Sequence, residues 1–164
     1  MTMPLEPEDQ THVEAAEGYV ELGMFMDADA ELERIDADVP HVAEVLAVRV
    51  EIYRNLEKWE LMQAVAKKLA VDWDGDPQWW LCWAFATRRA ESVEAARRIL
   101  HLAVTNHPNA AIIQYNLACY ECQLGDLERA KHYLKQAFDL DKKFRLVALE
   151  DEDLKPLWEQ MGEY

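Results

Sequence analysis

Residues 109–142 read NAAIIQYNLACYECQLGDLERAKHYLKQAFDLDK. The stretch holds two short amphipathic helical patterns joined at Gly125-Asp126, where a glycine can take positive φ. Stepping back in strides of 34 residues finds the same pattern three more times. One small column is Ala16, Ala84 and Ala118, with Val50 as its exception. A second is Ala28, Ala96 and Ala130, with Met62 as its exception. Apolar columns follow at Leu32, Ala66, Leu100 and Leu134, and at Ile35, Leu69, Ala103 and Ala137. Leu22, Leu56, Ala90 and Leu124 end the first helices; Phe25, Trp59, Val93 and Leu127 open the second ones. The columns are explained by packing. Two helices approach closely only where one side is small, and Ala is small without breaking a helix. A lone helix pair cannot bury its apolar face, so the pairs must stack.

Working outward, the spacing predicts helices over about 8–22 and 25–35, 41–55 and 59–71, 77–89 and 92–105, and a fourth pair capped by Asn109. Asp38-Val39-Pro40, Asp74-Gly75-Asp76-Pro77 and His107-Pro108-Asn109 separate the pairs. At the second of these breaks an aspartate caps the next helix and Pro77 occupies its first turn; Ser92 is placed to cap another. Residues 1–8 form a leader, and residues 145–164 a linker with a capping helix. In that helix Leu154, Leu157, Trp158 and Met161 make one apolar stripe. Pro156 requires the helix to start at about Asp151 to Asp153, and the expected role is to cover the end of the array.

The columns resemble the tetratricopeptide repeat (TPR) family, whose 34-residue unit carries aromatic, Leu-Gly, Tyr, Ala, Phe and Pro positions at fixed offsets. The third repeat matches with Trp80, Trp83-Ala84, Ala96, Leu100 and Pro108, and the fourth with Leu117-Ala118, Gly125, Ala130 and Leu134. The first matches with Ala15-Ala16, Tyr19, Gly23, Ala28, Leu32 and Pro40. The second departs at Arg49-Val50 and Met62 but keeps Tyr53 and Trp59. The resemblance covers residues 9–142, as repeats of about 9–42, 43–76, 77–110 and 111–144. It implies an all-α fold, a right-handed superhelix (α-solenoid) of antiparallel helix pairs.

Composition narrows the function. The chain has 164 residues, enough for a sizeable core, and 51% are hydrophobic, which argues against disorder. A net charge of −15 repels phosphate and anionic lipid, so neither nucleic acid nor a membrane surface is expected as a partner. The N-terminus has no basic region and no apolar run, so no signal peptide is expected. Three cysteines, an odd number, fit reduced thiols in a cytoplasmic protein.

No catalytic pattern emerges. Cys119-x-x-Cys122 lies inside a helix with no second ligand pair, and the five histidines are scattered, so no metal is expected. Ser92, the only serine, lacks a nucleophile-elbow surround, and no phosphate-binding glycine motif occurs. The expected protein has no enzymatic activity and no cofactor. The resemblance implies instead that the first helix of each pair lines a concave groove. On that face the candidate binding residues are Glu17, Glu51, Arg54, Leu81, Phe85, Arg88, Ile112, Tyr115, Asn116 and Cys119. Arg54 and Arg88 are expected to pair with Glu17 or Glu51, and Leu81, Phe85, Ile112 and Tyr115 to form an apolar anchor patch; the alternative is that neighbouring helices or a chain terminus cover Phe85 and Tyr115. TPR proteins that hold chaperone C-termini use Lys, Arg and Asn at set positions of these faces; the matching positions here carry Gln10, Val13, Glu14, Glu17, Glu44, Val48, Glu51, Gln78, Leu81 and Cys82, with a lone Asn116 in the last repeat, which argues against that ligand. The expectation is a non-catalytic protein-interaction module. Its partner segment would be basic over the first two repeats and apolar over the last two. A self-associating scaffold and a cytoplasmic secretion-type chaperone are the alternatives.

Overall fold

A computed structural model describes residues 4–35 and 42–163, with side chains through Glu159. Among the described residues the α-helices are α1 (Pro7–Glu21), α2 (Phe25–Leu32), α3 (Ala43–Asn55), α4 (Trp59–Asp72), α5 (Gln78–Ala90), α6 (Val93–Asn106), α7 (Ala111–Gln123), α8 (Leu127–Leu140) and α9 (Phe144–Glu150). A 3-10 helix, Glu152–Glu163, follows. Pro40 and the expected start at His41 lie outside the described residues.

The small and apolar columns are core columns. Ala16, Val50, Ala84 and Ala118 are all buried, and so are Ala28, Met62, Ala96 and Ala130. Leu32, Ala66, Leu100 and Leu134 are fully buried, with Ile35, Leu69, Ala103 and Ala137 beside them. The departures Val50 and Met62 are tolerated because each is apolar and finds room inside.

The turns repeat as well. After α1, Gly23 N–H donates to Val20 O (3.0 Å) and Met24 N–H to Tyr19 O (2.8 Å), the paired bonds that close a helix through one left-handed residue. The same pair recurs at Glu57 and Lys58, and at Gly125 and Asp126. Glycine occupies the left-handed position in two of these turns, at φ 73° and 86°, whereas Glu57 is held there at φ 56°. The third repeat differs: Glu91 N–H donates to Thr87 O (2.8 Å), and Ser92 Oγ then caps α6 by accepting from Ala95 N–H (3.1 Å). Asn109 does not cap α7, whose N-cap is Ala110. Asp76 Oδ1 accepts from Gln78 N–H (2.9 Å) at the start of α5.

The chain divides into two compact units, Met1–Ala86 and Thr87–Tyr164, with the boundary inside α5. In the first unit, Val13, Leu32, Val45, Ile52, Met62 and Leu69 form the centre of the core, with Trp59, Trp73, Trp79 and Trp83 packed around it. Polar contacts tie its helices together: His12 Nδ1 lies 2.8 Å from Glu31, and Lys58 pairs with Asp29 (3.2 Å). In the second unit the core gathers Tyr115, Cys119, Leu134, Phe138, Phe144, Leu154 and Leu157. The expected C-terminal α-helix is a 3-10 helix instead. It begins with a bond from Leu154 N–H to Asp151 O (3.0 Å) and packs on α7, α8 and α9. Leucines three apart suit either helix, which is why the sequence pattern alone does not separate them. Met161's side chain lies outside the described residues.

Candidate functional site

In the first unit, α1 and α3 frame a cleft of about 390 Å³ lined by Glu17, Val20, Glu21, Glu44, Ala47, Val48 and Glu51. The helical period produces this arrangement. Glu17 and Glu21 lie four apart on α1, and Glu44, Ala47, Val48 and Glu51 lie three or four apart on α3. Each set therefore shares one face, with aliphatic side chains between carboxylates. All four glutamates are exposed, while Val20, Ala47 and Val48 are half-buried. Among the described residues the carboxylates meet amide donors: Gln10 Nε2 reaches Glu44 (3.3 Å) and Asn55 Nδ2 reaches Glu51 (3.0 Å). The result is an acceptor-rich rim over an apolar floor.

Further along the same unit, Arg54 does not pair with Glu17 or Glu51 as expected. Its guanidinium donates to Cys82 Sγ (3.2 Å) and lies over the Phe85 ring, 5.8 Å from the centroid. Phe85 is 39% exposed and meets Trp59 edge-on at 5.6 Å. Arg54 and Phe85 are thus brought together, with Leu81 half-buried on the same helix. Burial pushes the Cys82 thiol up, against the lowering effect of Arg54.

In the second unit two expected groove residues are closed off. Tyr115 and Cys119 are 4% and 3% exposed, beneath the segment that follows α9. Tyr115 Oη donates to Asp151 Oδ2 (2.7 Å), with its ring stacked on Phe144 at 4.9 Å. The Cys119 thiol donates to the same oxygen (3.7 Å). Arg88, expected beside a glutamate of the first repeats, donates to Asp153 Oδ2 (3.1 Å) and lies over the Tyr120 ring (5.5 Å). Tyr115 therefore does not join an open apolar patch. Ile112 remains 37% exposed, and Asn116 spends its amide on Ile112 O (2.9 Å). Burial and then the Asp151 charge push the Cys119 thiol well up, and burial also raises Cys122, so neither is poised as a thiolate.

No family model matches the chain, and no curated protein matches it. Among solved structures it is similar to MamA MSR-1 C2, a TPR-containing protein, at 22% identity and a TM-score of 0.71. The match spans 83% of this chain and 78% of that one. The fold is of the tetratricopeptide-repeat type. In a TPR-type array the first-helix faces are the ones considered above. The sequence placed Glu17 and Glu51 on such a face but did not place Glu21 there, although its four-residue spacing from Glu17 marks it. Asp151, Asp153 and Gln123 were also missed, because an acidic run before a capping segment reads as solvated charge. No helix among the described residues is long and apolar enough to cross a membrane.

Proposed function

We propose that the chain is a protein-interaction module and that the cleft between α1 and α3 takes a basic segment of a partner protein. The observation that carries this reading is the four-glutamate rim over Val20, Ala47 and Val48. Lysine and arginine suit both parts, since their methylene stems lie along apolar surface while their heads meet carboxylates. The cleft is near the lower end of the roughly 300–1,000 Å³ common for ligand sites. It fits one or two side chains of an extended segment and not a folded element. An exposed charge pair is worth about 0.2–1 kcal/mol, so several carboxylates acting together supply a modest affinity that salt weakens. The TPR-type fold agrees with a protein-interaction role.

The test is a fluorescence titration of the full chain with a Lys/Arg-rich peptide at two salt concentrations. The triple variant Glu17→Gln, Glu44→Gln, Glu51→Gln should bind at least tenfold more weakly and show a shallower salt dependence. These exposed side chains leave the core intact, so the variant should stay folded. Equal binding by the variant would remove the cleft from the interaction.

A further inference from the structure

The segment after α9 contacts the rest of the second unit with a consistent polarity. Asp151 Oδ2 accepts from Tyr115 Oη and from the Cys119 thiol, while its Oδ1 accepts from Asp153 N–H. Asp153 Oδ2 accepts from Arg88, and its Oδ1 accepts from Gln123 Nε2. Four donors from α5 and α7 thus converge on two carboxylates two residues apart. Just beyond them, Leu154 and Leu157 are fully buried against the unit's core. A chain of net charge −15 has built a surface that accepts negative charge and reads it by side-chain hydrogen bonds.

This is the chemistry of peptide recognition. Charged groups fix the register, apolar anchors supply the energy, and the recognised segment forms only a 3-10 helix, whose hydrogen bonds are poorer than those of an α-helix. The segment is also tethered by α9 on one side. A tethered ligand competes at an effective concentration in the millimolar range, enough to keep a site filled against weak free ligands.

We infer that the α7 face of the second unit is a binding site for an acidic partner segment of the pattern Asp-x-Asp-Leu-x-x-Leu, occupied in this structure by the chain's own residues 151–158. The site is separate from the α1–α3 cleft and opposite to it in charge preference. A partner with this pattern takes the place of the chain's own segment, so the site opens only to ligands that outcompete the tether.

The test places a protease recognition sequence between Glu150 and Asp151 of the full chain, so that cutting turns the tethered segment into a free one. A labelled peptide with the sequence of residues 151–159 is then titrated into cut and uncut protein. The cut protein should bind the peptide saturably, and the uncut protein at least tenfold more weakly. A peptide with Asn in place of both aspartates should bind the cut protein at least tenfold more weakly than the parent, and so should the parent peptide to a cut Arg88→Ala protein. Three results would overturn the inference. The cut protein could lose its helical signal or fail to exchange the segment, which would make the segment fixed core. The Asn peptide could bind as well as the parent, which would leave the leucines alone responsible. The uncut protein could bind equally well, which would place the peptide elsewhere.

Discussion

Glu121 gives the sharpest energetic test of the second unit. Its side chain has no exposure, yet it carries a carboxylate: Oε1 meets His101 Nε2 at 3.0 Å and Oε2 has Arg97 at 3.5 Å with no hydrogen bond of its own. Tyr133 Oη lies 3.4 Å from His101 Nδ1, on the other side of the imidazole. The partners differ from Glu121 in one respect: the Arg97 and His101 side chains are 25% and 36% exposed. Replacing Glu121 by Met removes a charge-assisted bond worth about 1.5–3 kcal/mol, but it also removes the desolvation of a buried carboxylate, itself several kcal/mol. Arg97 and His101, both partly exposed, can then turn to water. Glu121→Met should therefore lie within about 1 kcal/mol of the parent. Removing the partners is different. Arg97→Ala with His101→Ala leaves a carboxylate buried and uncompensated, at a cost of about 3–5 kcal/mol. For a chain of this size that corresponds to a drop in Tm of about 6–20 °C. Urea unfolding followed by far-ultraviolet circular dichroism measures both. If Glu121→Met costs as much as the double variant, the buried carboxylate is a net stabiliser and the desolvation argument is refuted.

Two further outcomes follow from local geometry. Glu57 occupies a left-handed turn that its counterparts fill with glycine, and an L-residue there pays about 1–2 kcal/mol; after the added unfolded-state entropy of glycine, Glu57→Gly should raise the unfolding free energy by about 0.5–1 kcal/mol in the same urea assay. Tyr115 is raised by burial and by its bond to Asp151, and burial pushes Tyr120 up to about 12. A folded-state value above the unfolded one contributes stability that is complete below the unfolded tyrosine value of about 10 and is lost as pH rises past it. The protein should therefore weaken on the alkaline side, and Tyr115→Phe should cost about 1.5–3 kcal/mol at neutral pH while flattening that alkaline loss, as unfolding midpoints measured against pH would show.

The fold was readable because its evidence is repeated. A single alanine such as Ala118 says little, but Ala16, Ala84 and Ala118 in one register report the same close approach three times, and Val50 is absorbed as a variation. The turns were partly readable: Gly23 and Gly125 announced theirs, whereas Glu57 gave no compositional sign and is held left-handed by the repeat around it. Which residue covers Tyr115 was not readable. Its partner Asp151 lies 36 residues away, outside the repeat register, and nothing in the acidic run distinguishes a recognised aspartate from a solvated one. Helix α9 escaped for a related reason, since seven residues with exposed Leu146, Val147 and Leu149 carry no one-sided pattern.

Positions off the small-residue columns carry the chemistry, and they differ in residue type from one repeat to the next because each meets a different neighbourhood. The column that runs through residues 17, 51, 85 and 119 holds Glu, Glu, Phe and Cys. Its first two members rim the acidic cleft, its third lies under a guanidinium, and its fourth donates to Asp151. The same holds for Val13, Ala47, Leu81 and Tyr115, which range from core to cleft lining to a phenol bound to a carboxylate. Net charge is therefore a poor guide to the ligand of any one face. A value of −15 describes the solvated surface as a whole, whereas the α7 face concentrates Arg88, Tyr115, Cys119 and Gln123 as donors. A repeat scaffold allows this because substituting one column member alters one local site while the buried columns keep the helices in register. The excess of acid that argues for a basic partner at the α1–α3 cleft thus sets no limit on what the second unit can recognise.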